Sequence, residues 1–452
     1  MIGQLLSIAR NTFIEAIRQP IYFVLVMICG VLQFFATWGT AFSMGYSDTA
    51  EVSSDNKMLL DIGLATVFVC GTLLAAFVAT AVLSREIENK TILTVVSKPI
   101  GRPTVILGKY LGVAGALLLA SSIMLLFLLL SMRHGVLSTA ADDPDGPVIL
   151  FSIVGIGLVL FIAMAGNYLY GWVFSQTSML LMLPATLLAY LLVLSLSKEW
   201  NWQPISTDFK PQITLACACL TLAILVLTAV ATAASTRLGQ VMTIVVCAGV
   251  FLMGLLSNHL IGRHAFANHP IAFISAVETT YQDHESFTKP DSEYLLQLGS
   301  TPTVTLRPGM QIYYGASPNG VGLAVPPFGE HVGEFPSDPA FGDEESHHSG
   351  IYVTNVQGML ITIKNAGPEP VLVKRPPQDD DWIFLKPTTL RPAPLAAWAV
   401  IPNMHFFWFI DAISQNQPIP GSHVVMIMGY ALAQIGFFLG LAIFLFQKRD
   451  VG

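Results

Sequence analysis

The stretch "GRPTVILGKY", Gly101 to Tyr110, ends in the Gly-Lys pair that phosphate-binding loops use. Such a loop needs Gly-x4-Gly-Lys followed by Ser or Thr, between a strand and a soluble helix. Here six residues separate Gly101 from Gly108, Tyr110 stands where the magnesium-binding hydroxyl belongs, and a long apolar run follows. No nucleotide is expected there; Gly108 and Lys109 read as a membrane boundary, with Lys109 snorkelling to it. Ten histidines offer a second chemistry, six of them (His264, His269, His284, His331, His347 and His348) in one long polar insert. The densest patch, "DEESHHSG", has no metal-site spacing and reads as a solvated loop, so no metal site is assigned. The insert has no nucleophile motif. The five cysteines all fall in apolar runs, and their odd number argues against a disulfide framework. Cys217 and Cys219 read as small apolar packing residues. Charges inside the apolar runs, which would mark an ion path, are nearly absent. Asp61 sits close to a run's end, while Gln33, Asn167 and Gln434 are uncharged and read as interhelical hydrogen-bonders.

The elements that must position these residues are membrane helices. Of 452 residues, 53% are hydrophobic and 11% charged, against about 25% charged in soluble chains. The mean hydropathy is +0.63. A span needs roughly 20 apolar residues, and eight runs qualify, near 20–42, 59–83, 110–131, 148–174, 179–197, 213–234, 241–261 and 424–446. "SQTS", Ser175 to Ser178, reads as the tight turn between the fourth and fifth. Residues 1–19 are amphipathic rather than apolar, which suits an interfacial helix and not a cleavable signal. A ninth stretch, Leu395 to Ala412, contains Pro402, His405 and Asp411 and reads as re-entrant or interfacial.

Eight spans put both termini on one face, with residues 84–109 and 235–240. That face carries ten basic residues (Arg10, Arg18, Arg85, Lys90, Lys98, Arg102, Lys109, Arg237, Lys448 and Arg449) against four acidic ones (Glu15, Glu86, Glu88 and Asp450). The positive-inside rule makes it cytoplasmic. The expected fold is therefore mainly α: a polytopic helical membrane protein of about eight transmembrane helices, with a β-rich extracytoplasmic domain inserted before the last helix. The expected divisions are an interfacial elbow helix 1–19, a seven-span region 20–261 with a cytoplasmic segment 84–109, the β-rich domain 262–394, a re-entrant or interfacial segment 395–423, and the last helix with its tail, 424–452. In the insert, period-2 runs such as "TVTLRPGMQIYYG", "GIYVTNVQGMLITIKNA", "PVLVKRP" and "WIFLKP" suggest a small sandwich. Residues 328–350 read as a loop. In the last span Gly436 and Gly440 have the spacing of a close helix-packing face.

The charged segment "REIENKTILTVVSKPIGR" has helical character from Glu86 to about Val96, ended by Pro99. A short amphipathic helix between two spans can lie on lipid or dock into a partner. At these residues the chain resembles the permease subunits of ABC-2 type ABC transporters, whose pattern runs roughly Glu-x-x-x-Gly-Thr, then Ser/Lys-Pro-Ile/Val-x-Arg and Gly-Lys. This sequence has Glu86 and Thr91, Ser97-Lys98-Pro99-Ile100-x-Arg102 and Gly108-Lys109, with Lys90 where the family usually has Gly. The first helix is similar to the family's elbow helix, and "FQKRDVG" to its usual close. Eight spans exceed the family's common six, and the large insert is a further departure. The resemblance implies a non-enzymatic transmembrane subunit in the cell (inner) membrane that exports a substrate. ATP and magnesium would be on a separate cytoplasmic ATP-binding subunit, with no cofactor in this chain. Arg85, Glu86, Glu88, Lys90, Thr91, Lys98, Pro99 and Arg102 would couple to that subunit. A second permease copy or paralogue and membrane lipid are the other implied partners, and no nucleic acid. The alternatives are a membrane-anchored binding or sensory protein acting through its β-rich domain, and an ion-coupled carrier.

Overall fold

The computed structural model describes residues 2–39, 50–88, 101–136, 143–279, 287, 293–328, 349–366, 371–409 and 419–447. The chain forms two compact units, Met1–Leu255 with Pro402–Gly452, and Leu256–Ile401.

The first unit is helical: α1 Ile2–Arg18, α2 Pro20–Gly39, α3 Ala50–Glu88, α4 Arg102–His134, α5 Gly146–Tyr170, α6 Phe174–Leu194, α7 Pro211–Ser235, α8 Gln240–Ser257, reaching two residues past the unit's edge, and, after the second unit, α10 Gly421–Gln447. Among the described residues eight helices, all of these but α1, are long and apolar enough to cross a membrane. The chain is a multi-pass membrane protein. The most apolar stretches of α3, α4 and α7 are 67%, 72% and 67% buried, whereas those of α5 and α8 are 17% and 22% buried, so the first three form the centre. Close approach there uses glycines: a Cβ at Gly63 would sit 2.3 Å from Leu128 of α4, and one at Gly71 2.6 Å from Ile224 of α7. Tyr22 donates to the Ala116 carbonyl at 2.5 Å. Of the polar residues expected to bridge helices, Gln33 does so, donating to the Gly63 carbonyl at 3.4 Å. Asn167 instead donates to the nearby Trp172 carbonyl, and Gln434 to Tyr430 on its own helix.

Two boundaries differ from the hydropathy reading. The fourth and fifth spans are parted at Gly171, not at "SQTS", which opens α6. Gly171 has φ +70, and the Gly171 and Trp172 amides return to Asn167 and Gly166. A left-handed residue with these two bonds ends a helix, and only glycine takes that conformation without strain. Helix α4 starts eight residues before the apolar run it carries, so Lys109 lies two turns inside it and is buried rather than snorkelling.

The far end of this unit, where α2 and α4 finish, is fastened by an ion network. The wholly buried Asp145 caps α5 at the Val148 amide and meets Arg133 at 2.7 Å; Arg133 also reaches Asp208 at 3.0 Å.

Among its described residues the second unit has eight strands: β1 Phe266–Ala267, β2 Ala272–Thr279, β3 Glu293–Leu298, β4 Tyr313–Gly315, β5 Gly350–Gln357, β6 Leu360–Ala366, β7 Trp382–Phe384 and β8 Thr389–Leu390, followed by helix α9 Pro392–Val400. Strands β1 and β8 pair alone, and the other six form an antiparallel sheet in the order β4-β7-β2-β3-β6-β5. Two stacked sheets are not what forms. Gly309 and Ile312 donate to Val353 and Ile351 of β5, and Val353 donates back to Met310. The segment leading into β4 thus pairs with the opposite edge strand, and the sheet closes on itself. The bend comes at a register shift between Ile274 and Ala276 of β2, which pairs with β7 before it and β3 after it. Ile274, Leu296, Tyr314, Ile351, Ile361 and Phe384 fill the inside. The run "GIYVTNVQGMLITIKNA" is a hairpin turned at Gly358, φ +65. In "TVTLRPGMQIYYG" Pro308 and Gly309 leave only Tyr313–Gly315 as strand, and the described part of "PVLVKRP" forms none. The buried Asp381 takes a two-pronged bond from Arg375, whose carbonyl accepts the Tyr314 hydroxyl at 2.8 Å. Burial pushes the Tyr314 phenol well above its ordinary value, and the bond to Asp381 raises the Arg375 guanidinium.

Candidate functional site

Five helix ends meet at the near end of the first unit: those of α1, α3, α4, α7 and α10. Helix α1 lies along α4 because α4 offers it no side chains at Gly108 and Gly112. A Cβ at Gly108 would sit 2.8 Å from Ile8 and 3.2 Å from the Leu5 carbonyl; one at Gly112 would sit 2.5 Å from both the Ala9 carbonyl and the Thr12 side chain. The Gly-Lys pair that suggested a phosphate loop is therefore a helix-crossing point. Thr12, Ala16 and Ile17 of α1 are buried, while Ile2 and Leu6 are 77% and 59% exposed on the side that an interfacial helix would turn to lipid. Helix α1 is also tied to the α5–α6 hairpin: Arg18 donates to Gln176 at 2.8 Å, and Ser175 donates to the Arg18 carbonyl at 2.7 Å.

The end of α10 is held by two arginines. Arg102, the first residue of α4, donates to the carbonyls of Phe446 and Gln447, and its guanidinium stands 5.8 Å from the Phe446 ring centre. Arg237, just past α7, donates to the Leu445 carbonyl at 3.1 Å. Cations on the last carbonyls satisfy orphan acceptors and oppose the helix dipole. Phe446 is fully buried among Leu83, Ile106, Ala233 and Ala442, so α3, α4, α7 and α10 share one small core here.

Of the residues expected to couple, Arg85, Glu86 and Glu88 lie in the last turn of α3, with side chains outside the described set. Lys90, Thr91, Lys98 and Pro99 lie outside the described residues. Arg102 is described and spends its guanidinium on α10. Gly436 and Gly440 have no neighbour within 4 Å of a built Cβ. Among the described residues nothing packs closely on them, and close packing is found at Gly108 and Gly112. Sequence reading missed Ser175, Arg237 and Gly112. The Gly108-x3-Gly112 spacing was the available signal, obscured because Gly108 was weighed as part of a phosphate loop.

At the far end the stretch Leu395 to Ala412 is not one helix: α9 ends at Val400, and a single 3-10 turn, Met404–Phe407, follows. That turn is packed inside the first unit. Met404 and Phe407 are buried, His405 meets the Leu255 carbonyl at 2.6 Å, the Asn403 amide donates to Tyr430, and Gly254 makes room for the Pro402 carbonyl. Among the described residues no cluster of His, Cys, Asp or Glu could hold a metal. His284, His331, His347 and His348 lie outside them.

Residues 6–168 match the family model described as ABC-2 family transporter protein. Over these residues the chain is similar to ABC-2 family transporter proteins. The match runs from α1 through nearly all of α5 and includes the turn between α3 and α4; the β-rich unit and the last helix lie beyond it. Comparison with curated proteins and with solved structures gives no match.

Proposed function

We propose that this ABC-2 permease is the membrane-spanning half of a transporter whose ATP is hydrolysed on a separate cytoplasmic subunit. The observation that supports the reading is the family match across α1 to α5; the ends of α3 and α4 are among the five that converge. On this reading Arg85, Glu86, Glu88, Lys90, Thr91, Lys98 and Pro99 form the handle that the ATPase grips. Arg102 passes the motion to α10 through the carbonyls it caps. The termini and residues 84–109 are cytoplasmic, and the β-rich unit is on the other side of the inner membrane. Met404–Phe407 then plugs the outer end of the helices, and its release accompanies export. The open face at Gly436 and Gly440 is where a second copy or a paralogue packs. ATP and magnesium belong to the partner.

The test is affinity purification of the tagged chain from its own cells. An ATP-binding subunit should co-purify with it. The pair Glu86→Lys and Glu88→Lys should lose that subunit while the permease still elutes as a single folded species. Recovery of the permease with no ATP-binding chain in any detergent would sink the reading.

A further inference from the structure

Helices α2, α4 and α5 leave a groove of about 450 Å³ between them, open to the side. It is unrelated to the near-end site: on α2 it runs from Met27 to Trp38, toward the far end. Eleven residues of helix cover about 16 Å, and one leaflet of a bilayer's hydrocarbon core is about 15 Å deep. The lining changes character along that length. At the deep end it is Met27, Phe127, Ile156 and Gly157. At the far end, where α2 and α4 stop and α5 begins, it is Thr37, Trp38, Ser131 and His134. Thr37 and Ser131 share a hydrogen bond across the helices. His134 turns Nδ1 to the Gly135 carbonyl at 2.9 Å, while its Nε2 is buried with no hydrogen-bond partner among the described residues.

We infer that this groove binds one acyl chain of a lipid from the leaflet at the far end, with the lipid's ester and glyceryl region beside Thr37 and His134. Apolar depth, a polar mouth and a length of one leaflet are the features of a lipid tail. With Nδ1 donating to Gly135, Nε2 is an acceptor that a headgroup hydroxyl can satisfy. The volume lies in the range of about 300–1,000 Å³ that encloses a small ligand. Gly157 keeps the groove open: a Cβ there would meet nothing within 4 Å. The rim is apolar and outward-facing, with Phe34 and Ile153 54% and 65% exposed, so a chain enters sideways from the bilayer. The inference needs the spans to be in lipid but does not depend on any ATPase.

The full chain, in vesicles containing phosphatidylglycerol with a photoreactive diazirine on one acyl chain, provides the test. Illumination should label peptides covering Gly30–Trp38 and Ser152–Gly157 above the level on the exposed α8 face around Val241, Val245 and Leu252. Gly157→Phe adds a ring at a groove-lining position whose Cβ meets nothing within 4 Å, and Ser152→Phe adds one at a second lining position. Either should cut groove labelling about tenfold, equivalent to about 1.4 kcal/mol of binding, and leave α8 labelling unchanged. Uniform labelling of all lipid-facing helices would overturn the inference, as would undiminished groove labelling in a variant that keeps the wild-type elution profile. Efficient disulfide cross-linking of Ile153→Cys to its counterpart would also overturn it, by showing that a second copy covers the slot.

Discussion

At the scale of single residues, the arrangement depends on absent side chains and on a few buried polar ones. Gly112 has no room for a methyl group, because the Ala9 carbonyl of α1 is 2.5 Å from where it would be. Gly112→Ala must push α1 away from α4, and overpacking of this kind costs about 1–3 kcal/mol. A lowered melting temperature in detergent checks it. Gly249→Ala, with nothing within 4 Å of the added Cβ among the described residues, is the matched control and should not move it. Asp145 is a different case. It caps α5 and neutralises Arg133 while wholly buried. Arg133 keeps Asp208 when Asp145 is removed, so Asp145→Ala loses the helix cap and one of two ion contacts and should destabilise by about 1–3 kcal/mol, read by the same melt. Neither residue was singled out in the sequence. Gly112 sits among many membrane glycines, and Asp145 lies in a loop that looks merely polar; what sets each apart is a neighbour distant in the chain.

At the scale of elements, the spans were legible and their ends were not. Eight apolar runs became eight helices, each close to or above the length a bilayer demands. Hydropathy does not see where a helix continues past the lipid, so the starts of α4 and α6 were displaced and Lys109 was placed at the surface. The β-rich unit was legible as strands but not as a closed sheet. Closure rests on the Ile274–Ala276 register shift and on the pairing of residues 309–312 with β5, and a period-2 pattern reports neither. Its core makes a pH prediction. Burial raises the Tyr314 phenol in the folded state, so the folded form holds that proton more tightly than the unfolded one. The stabilisation is complete below the unfolded value of about 10 and declines as pH rises above it. Tyr314→Phe loses the hydrogen bond to Arg375 and should be less stable near neutrality. It should also lose less stability than wild type on the alkaline limb, followed by near-ultraviolet circular dichroism of the whole chain. An identical alkaline slope in the two proteins would show that Tyr314 does not set it.

At the scale of the whole molecule, the near-end site is a junction more than a binding pocket. Helix α1 is clamped on α4 and the α5–α6 hairpin, and α10 is capped from α4 and α7. The segment between α3 and α4 is the link to four spans that share Phe446. The family likeness was readable in the motif around Glu86 to Lys109, whereas the convergence that gives that motif leverage was not, since its members come from positions as far apart as 18, 102, 237 and 446. The central claim is that ATP spent on another chain drives transport through this one. Its most direct test is ATP hydrolysis and transport by the permease reconstituted in vesicles with and without its ATP-binding partner. The account predicts that the permease alone hydrolyses no ATP. The assembled complex hydrolyses it, and Glu86→Lys with Glu88→Lys abolishes transport in vesicles whose permease is folded and inserted. Transport that persists without ATP and collapses with an ion gradient would contradict the account.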